Sequence, residues 1–297
     1  VLNEAVALGY VADARVSDVM SSFRKSQHPK YRETIAFLQS PHGSSFHEVF
    51  KYAEKFAISQ GYRVENILIP AGRSRSRQLN RILTTRGIRG LLITPGSTRP
   101  LPHFTLPWQH FASVIIGSSL VNKGIPRVRA DHFQLVSETL RQLVKLNYRN
   151  IGLLIDHDFN ERTGRHLTGA YLATDHPLAL SKRSDSIRLI RKWNAPQIKS
   201  WIQRKQFDCL IIDHTRRKAE LEALGFLFPS DLGLSCLSVQ QTQSEVSGIY
   251  QNAEGMAKAA LSLLTVLLKT NQTGLQSDAP VIHTPGTWQS GQTLKKQ

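Results

Sequence analysis

VRADHFQLVSETLRQLVKLNYRNIGLL, residues 128–154, decides the fold. RVRAD (127–131) has the pattern of a short strand, and a helix follows over 132–148 with Leu135, Leu140, Leu143 and Val144 on its apolar side. The apolar run NIGLLID (150–156) is then a strand again, and there the cycle of elements restarts. Upstream, the strands TIAFLQ, RVENILIP, IRGLLITP and FASVIIGS alternate with helices over 46–62 and 75–87. Downstream, the helices 161–174, 195–206 and 216–226 separate the strands SIRLI, FDCLIID and LGLSCLSV, and a helix over 252–270 precedes APVIHTPGTW. Strands that alternate with helices of this length lie parallel in sheets covered on both faces. Two such runs predict two doubly wound α/β lobes, with ligand binding beyond the carboxyl ends of the strands, in a cleft between the lobes.

Composition agrees with two lobes. A chain of 297 residues suits two domains, and 40% hydrophobic residues suffice for real cores. No apolar run is long enough to span a membrane, and no secretory signal pattern opens the sequence, so a cytoplasmic protein is expected. Cys209 and Cys236 each sit in an apolar run and are read as buried, reduced thiols. The net charge of +16 favours an acidic partner. Its excess concentrates in FRKSQHPKYR (23–32) and GRSRSRQLNRILTTRGIR (72–89); the second reads as a solvated helix face.

Catalysis finds no support: there is no nucleophile elbow, phosphate-binding glycine loop or paired-carboxylate signature. DHDFNERTGRH (156–166) supplies Asp156, His157, Asp158 and His166, with His176 beyond it. Those histidines stand nine and ten residues apart, not at the spacing of a helical metal pair, so the stretch reads as a solvated loop running into a helix. No metal and no cofactor are expected.

The order of motifs resembles the lactose-repressor and galactose-repressor family of bacterial transcription regulators. The segment 128–154 is similar to that family's junction into its second lobe, with Asn147 where glycine is usual. RHLTGAYLA (165–173), ALGFLFPSDLGLSCLSV (223–239) and SGIYQNAEGMAKAALSLLTVLL (247–268) are similar to further motifs in the same order. The resemblance implies lobes of the periplasmic-binding-protein type, the first formed by 33–149 plus 253–276 and the second by 150–252 plus 277–297. It also implies that VLNEAVALGY (1–10) is the end of a helix-turn-helix headpiece and DARVSDVM (13–20) a hinge helix, within residues 1–32. On operator DNA, Val19 or Met20 is then the apolar wedge in the minor groove, and Arg15, Arg24 and Lys25 meet phosphates.

Relatives hold a small molecule, often a sugar or nucleobase, between the lobes. Carried over, the arginine before the conserved-pattern glycine, here Gly169, falls at His166, with Arg165 beside it; the acid falls at Ser238, and the usual Asn-Asp pair is Asp213 and His214. His157 joins this side, and His42, Ser44, Ser45, Phe46, Thr94, Gly96 and Asp131 form the side contributed by the first lobe. Replacing the arginine clamp and the carboxylate weakens the case for a sugar and suits a different, more acidic ligand if His166 is charged. The resemblance implies a homodimer that represses or activates from an operator. A solute-binding protein that delivers a ligand to a transporter shares the fold and stands as the alternative, as does a body that works through protein contacts alone.

Overall fold

The structure, a computed structural model, describes residues 33–39, 46–70, 74–94, 105–120, 124–174, 183–239 and 245–295. The headpiece and hinge residues Arg15, Val19, Met20, Arg24 and Lys25, and the cleft candidates His42, Ser44, Ser45 and Gly96, lie outside these. Two six-stranded sheets make up the fold. The first contains β1 (Glu33–Gln39), β2 (Tyr62–Leu68), β3 (Gly90–Thr94), β4 (Ala112–Ile116), β5 (Arg127–Ala130) and β11 (Val281–Thr284), in the order β2-β1-β3-β4-β5-β11. The second contains β6 (Ile151–Asp156), β7 (Ile187–Ile190), β8 (Cys209–Ile212), β9 (Gly233–Val239), β10 (Ser247–Tyr250) and β12 (Thr287–Gln289), in the order β7-β6-β8-β9-β10-β12. The strand order of the first half is thus repeated in the second. Every pairing is parallel except β10 with β12.

Burial follows position in the sheet. The central strands β3, β4 and β8 are buried at every residue, as strands covered by helices on both faces must be. The edge strands β2, β7 and β11 keep exposed positions. Helices α1 (His47–Ser59) and α2 (Arg75–Thr85) belong to the first half. The second half carries α4 (His157–Arg162), α5 (His166–Ala173), α6 (Ala195–Lys205) and α7 (Arg216–Glu222).

Two boundaries differ from the sequence reading. Helix α3 (His132–Lys145) packs Leu135, Val136, Leu140 and Leu143 against Ile151, Leu153 and Ile155 of β6, so it covers the second sheet and not the first. Strand β11, expected in the second lobe, pairs with β5 in the first. Helix α8 (Ala253–Lys269) crosses back to cover the first sheet, where its Leu268 lies against Gly90. The chain therefore passes between the lobes three times: at Asp131, at Gln251–Asn252 and at Pro285–Gly286. The first and third are tied together. The Asp131 N–H donates to the Thr284 carbonyl at 2.9 Å, and Gln134 Oε1 accepts from the Gly286 N–H at 3.1 Å.

The helix expected over 161–174 is broken, and the loop expected before it is the short helix α4. Gly164 and Arg165 both take positive φ, and the Arg165 N–H is satisfied by the Asn160 carbonyl at 2.8 Å. Asn147, where the family uses glycine, has φ of 65° after the end of α3. Asparagine tolerates this left-handed conformation better than other side chains. Asn147→Ala is expected to lower unfolding free energy by about 1 kcal/mol and Asn147→Gly to leave it nearly unchanged, as read from denaturant midpoints. Cys209 and Cys236 lie on the neighbouring strands β8 and β9 but are paired to Gly233 and Ile212; both are buried free thiols, and burial pushes the Cys236 thiol up to about 12. Among the described residues no helix is long and apolar enough to cross a membrane.

Candidate functional site

In the second sheet the carboxyl ends of the neighbouring strands β6 and β8 are tied together. Strand β6 ends at Asp156, whose Oδ1 caps α4 by accepting from the Phe159 N–H at 2.9 Å. Its own N–H donates at 2.8 Å to Oδ2 of Asp213, the residue after β8. This bond joins the two strands where the order of the second sheet reverses, the usual place for a ligand in such sheets. Asp213 is buried, and desolvation raises its pKa against the opposing pull of the Asp156 N–H and Arg217. Arg217 is equally buried; its Nε stands 3.5 Å from Asp213 Oδ1, its Nη1 donates to Glu220 at 2.7 Å, and its guanidinium lies over the Trp193 ring.

His157 opens a cavity of about 500 Å³ lined also by Arg188, Arg191, Lys192, Trp193, Asn194 and Gln197. An Arg191 guanidinium nitrogen is 2.7 Å from His157 Nε2. On the other side of the site, a second group of bases gathers around the first and third crossovers. Arg129 on β5 donates from Nε to Nε2 of His283 on β11, its register partner, at 3.2 Å. The His283 ring stands 6.0 Å from that of His166 at the start of α5. His132, the first residue of α3, is buried edge-on to Phe159. Burial, then Arg129, His166 and His283, lower its pKa to about 3, with Asp131 opposing. Burial followed by Arg129 also lowers His283.

The description "Periplasmic binding proteins and sugar binding domain of LacI family" belongs to the family whose pattern matches residues 32–192, more than half of the sequence. The chain belongs to this family. LacI-family regulators are also its neighbours in fold. CcpA of Weissella paramesenteroides with bound glucose is 14% identical with a TM-score of 0.62, over 88% of this chain and 98% of its own. The regulator CelR in complex with cellobiose is 14% identical with a TM-score of 0.62, over 98% and 94%. A protein of Alkaliphilus metalliredigens, described as a periplasmic binding protein/LacI transcriptional regulator and complexed with D-xylulofuranose, is 13% identical with a TM-score of 0.62, over 89% and 100%. At these identities the likeness is one of fold. No curated protein matches the sequence.

Within this LacI-family body the expected site residues are placed unevenly. His166 and Asp131 come to the same crossover, where Asp131 Oδ1 also caps α3 by accepting from the Gln134 N–H at 3.0 Å. His157 and Asp213 lie at the ends of β6 and β8, as the reversal in strand order requires. His214 follows Asp213; burial lowers its pKa, and its Nδ1 accepts from the Arg216 N–H at 3.2 Å. Ser238 stands half-buried near the end of β9. Arg165 turns outward into a two-point pair with Glu161, at 2.9 and 3.1 Å, so it is placed beside the clamp position without serving it. Thr94 is buried with its hydroxyl donated to the Leu38 carbonyl at 3.0 Å. Phe46 packs against Gly117, whose missing Cβ would stand 2.8 Å from the ring. Sequence reasoning missed Arg129, His132, His283 and Arg191, which are assembled by contacts between elements distant in the chain, and Arg217, whose ion pairs with Asp213 and Glu220 are local. Among the described residues no three His, Cys, Asp or Glu side chains come together as a metal site.

Proposed function

We propose that this chain is the effector-binding body of a DNA-binding transcription regulator, in which a small molecule held between the lobes sets their angle. Residues 1–32 then carry the end of the headpiece and the hinge helix, and two copies pair side by side so that two hinges reach one operator. The observation that carries this reading is the family match to a body of two lobes joined by three crossovers, with polar groups from both lobes converging at one crossover. Ligand that binds one lobe angle better than another shifts the population of angles, and operator affinity changes with it.

Thermal denaturation of the chain against monosaccharides, sugar acids, sugar phosphates, nucleobases and amino acids tests this reading. A ligand at about 100 times its dissociation constant adds about 2.7 kcal/mol to stability. His166→Ala is expected to abolish that gain while leaving the melting of the unliganded protein and its dimerisation intact. Retained affinity in this variant rules out the assignment of His166 to the site. Duplexes selected from a random pool whose binding changes with ligand support a regulator. Ligand binding without DNA affinity supports the solute-binding alternative instead, and no response to any compound overturns the effector reading.

A further inference from the structure

We propose that the effector carries an acidic group, a carboxylate or a phosphate, held between Arg129 and His283 on the first sheet and His166 on the second lobe. This rests on the effector-binding reading above and narrows it to a ligand class.

Arg129 has donors only, and it uses Nε on His283; its two terminal nitrogens have no partner among the described residues. Because His283 accepts at Nε2, its neutral ring carries the proton on Nδ1, a second donor at the exposed end of β11. His166 faces it from the other lobe, and its Nδ1 is buried with no hydrogen-bond partner, as is Nδ1 of His132 behind it. The charged and titratable groups around His132 and His283 are Arg129, His166 and Asp131, together with each other. Asp131 is thus the opposing acid, and one of its oxygens is already committed to the α3 cap. A carbohydrate hydroxyl needs acceptors as well as donors, and the position where the family resemblance places a carboxylate holds Ser238.

Geometry fits an oxyanion. The 6.0 Å between the His166 and His283 ring centres suits one oxygen hydrogen-bonded to both rings from the side, with an angle of about 100° at that oxygen. The cavity beside His157 is also lined by bases, Arg188, Arg191 and Lys192, and the Asp158 carboxylate stands 3.2 Å from His157 Nδ1. An anion between the His166 and His283 rings also favours a proton on His283; the proton enters at Nε2 and displaces the Arg129 bond, so that a charged ring and the freed guanidinium both face the anion, and affinity rises as pH falls from about 8 to about 6.

The test is isothermal titration of the whole chain with glucose, glucuronate, glucose 6-phosphate and inorganic phosphate at both pH values. At least one acidic probe is expected to bind about tenfold or more tightly than glucose, and more tightly at the lower pH. The double variant R129Q/H283Q is expected to lose that advantage, its fold checked by its melting curve. Preference for glucuronate over both phosphates assigns a carboxylate, and the reverse a phosphate. Glucose binding as tightly as its acidic counterparts overturns the inference and leaves the effector reading in place. No binding of any probe at about 10 mM overturns the inference, while binding of a neutral compound elsewhere in the wider panel keeps the effector reading alive.

Discussion

Arg217→Met is expected to cost about 3–5 kcal/mol of unfolding free energy at neutral pH, because it removes one partner of a buried ion pair and leaves the other behind. Both side chains are nearly inaccessible, at 4% and 5% exposure, so water cannot take the place of the lost guanidinium at Asp213. The loss has a pH signature. Asp213 already has a raised pKa from burial, and removing Arg217 removes one of the influences that hold it down. A carboxyl raised in the folded state contributes stability that is fully present below its unfolded pKa and lost as pH rises through the folded one. The defect of Arg217→Met therefore shrinks on acidification toward pH 4, and the second substitution Asp213→Asn restores much of the loss at neutral pH. Denaturant midpoints at a series of pH values measure both; a defect that does not change with pH would show that Arg217 acts through its packing on Trp193 and not through its charge.

Gly248→Ala is expected to lose about 3 kcal/mol or more. A Cβ there would stand 2.0 Å from the carbonyl oxygen of Cys236 on the neighbouring strand. The obstacle is backbone in a parallel pair, not the end of a flexible side chain, so it yields only if β9 and β10 separate. These strands already shift register between Gly248 and Tyr250, just before the second crossover. Unfolding followed by circular dichroism measures the cost. A change under about 0.5 kcal/mol would mean that the strands part more easily than their pairing indicates.

What could be read in the sequence was periodic or local. The two doubly wound halves were legible because apolar runs such as GLLIT and CLII alternate with helical patterns, and such runs are buried wherever they fall in a sheet. The identity of α3 as a helix was legible too. Its lobe was not, because an apolar stripe on Leu135, Leu140 and Leu143 tells that the helix covers something without telling which sheet. The break at Gly164 depends on two successive left-handed residues, and one of them is an arginine that gives no warning in the sequence. Asp131 and His166 came from a resemblance; Arg129 and His283 are 154 residues apart and meet only because β11 returns to the edge beside β5. A weak signal existed in RVRA, where Arg127 and Arg129 share a face, but nothing nearby identified their partner.

The return of β11 and β12 has a consequence for biogenesis. Each sheet receives its sixth strand from residues 281–289, so neither half has both edges in place while the chain up to about residue 280 leaves the ribosome. Until then β5 and β10 present unpaired backbone along one side, which is a template for pairing with another chain. Folding vectorially, the first half does not finish before the second begins. Both are sealed within a few residues of each other, and a synthesis that stalls shortly before that point leaves two open edges rather than one finished domain.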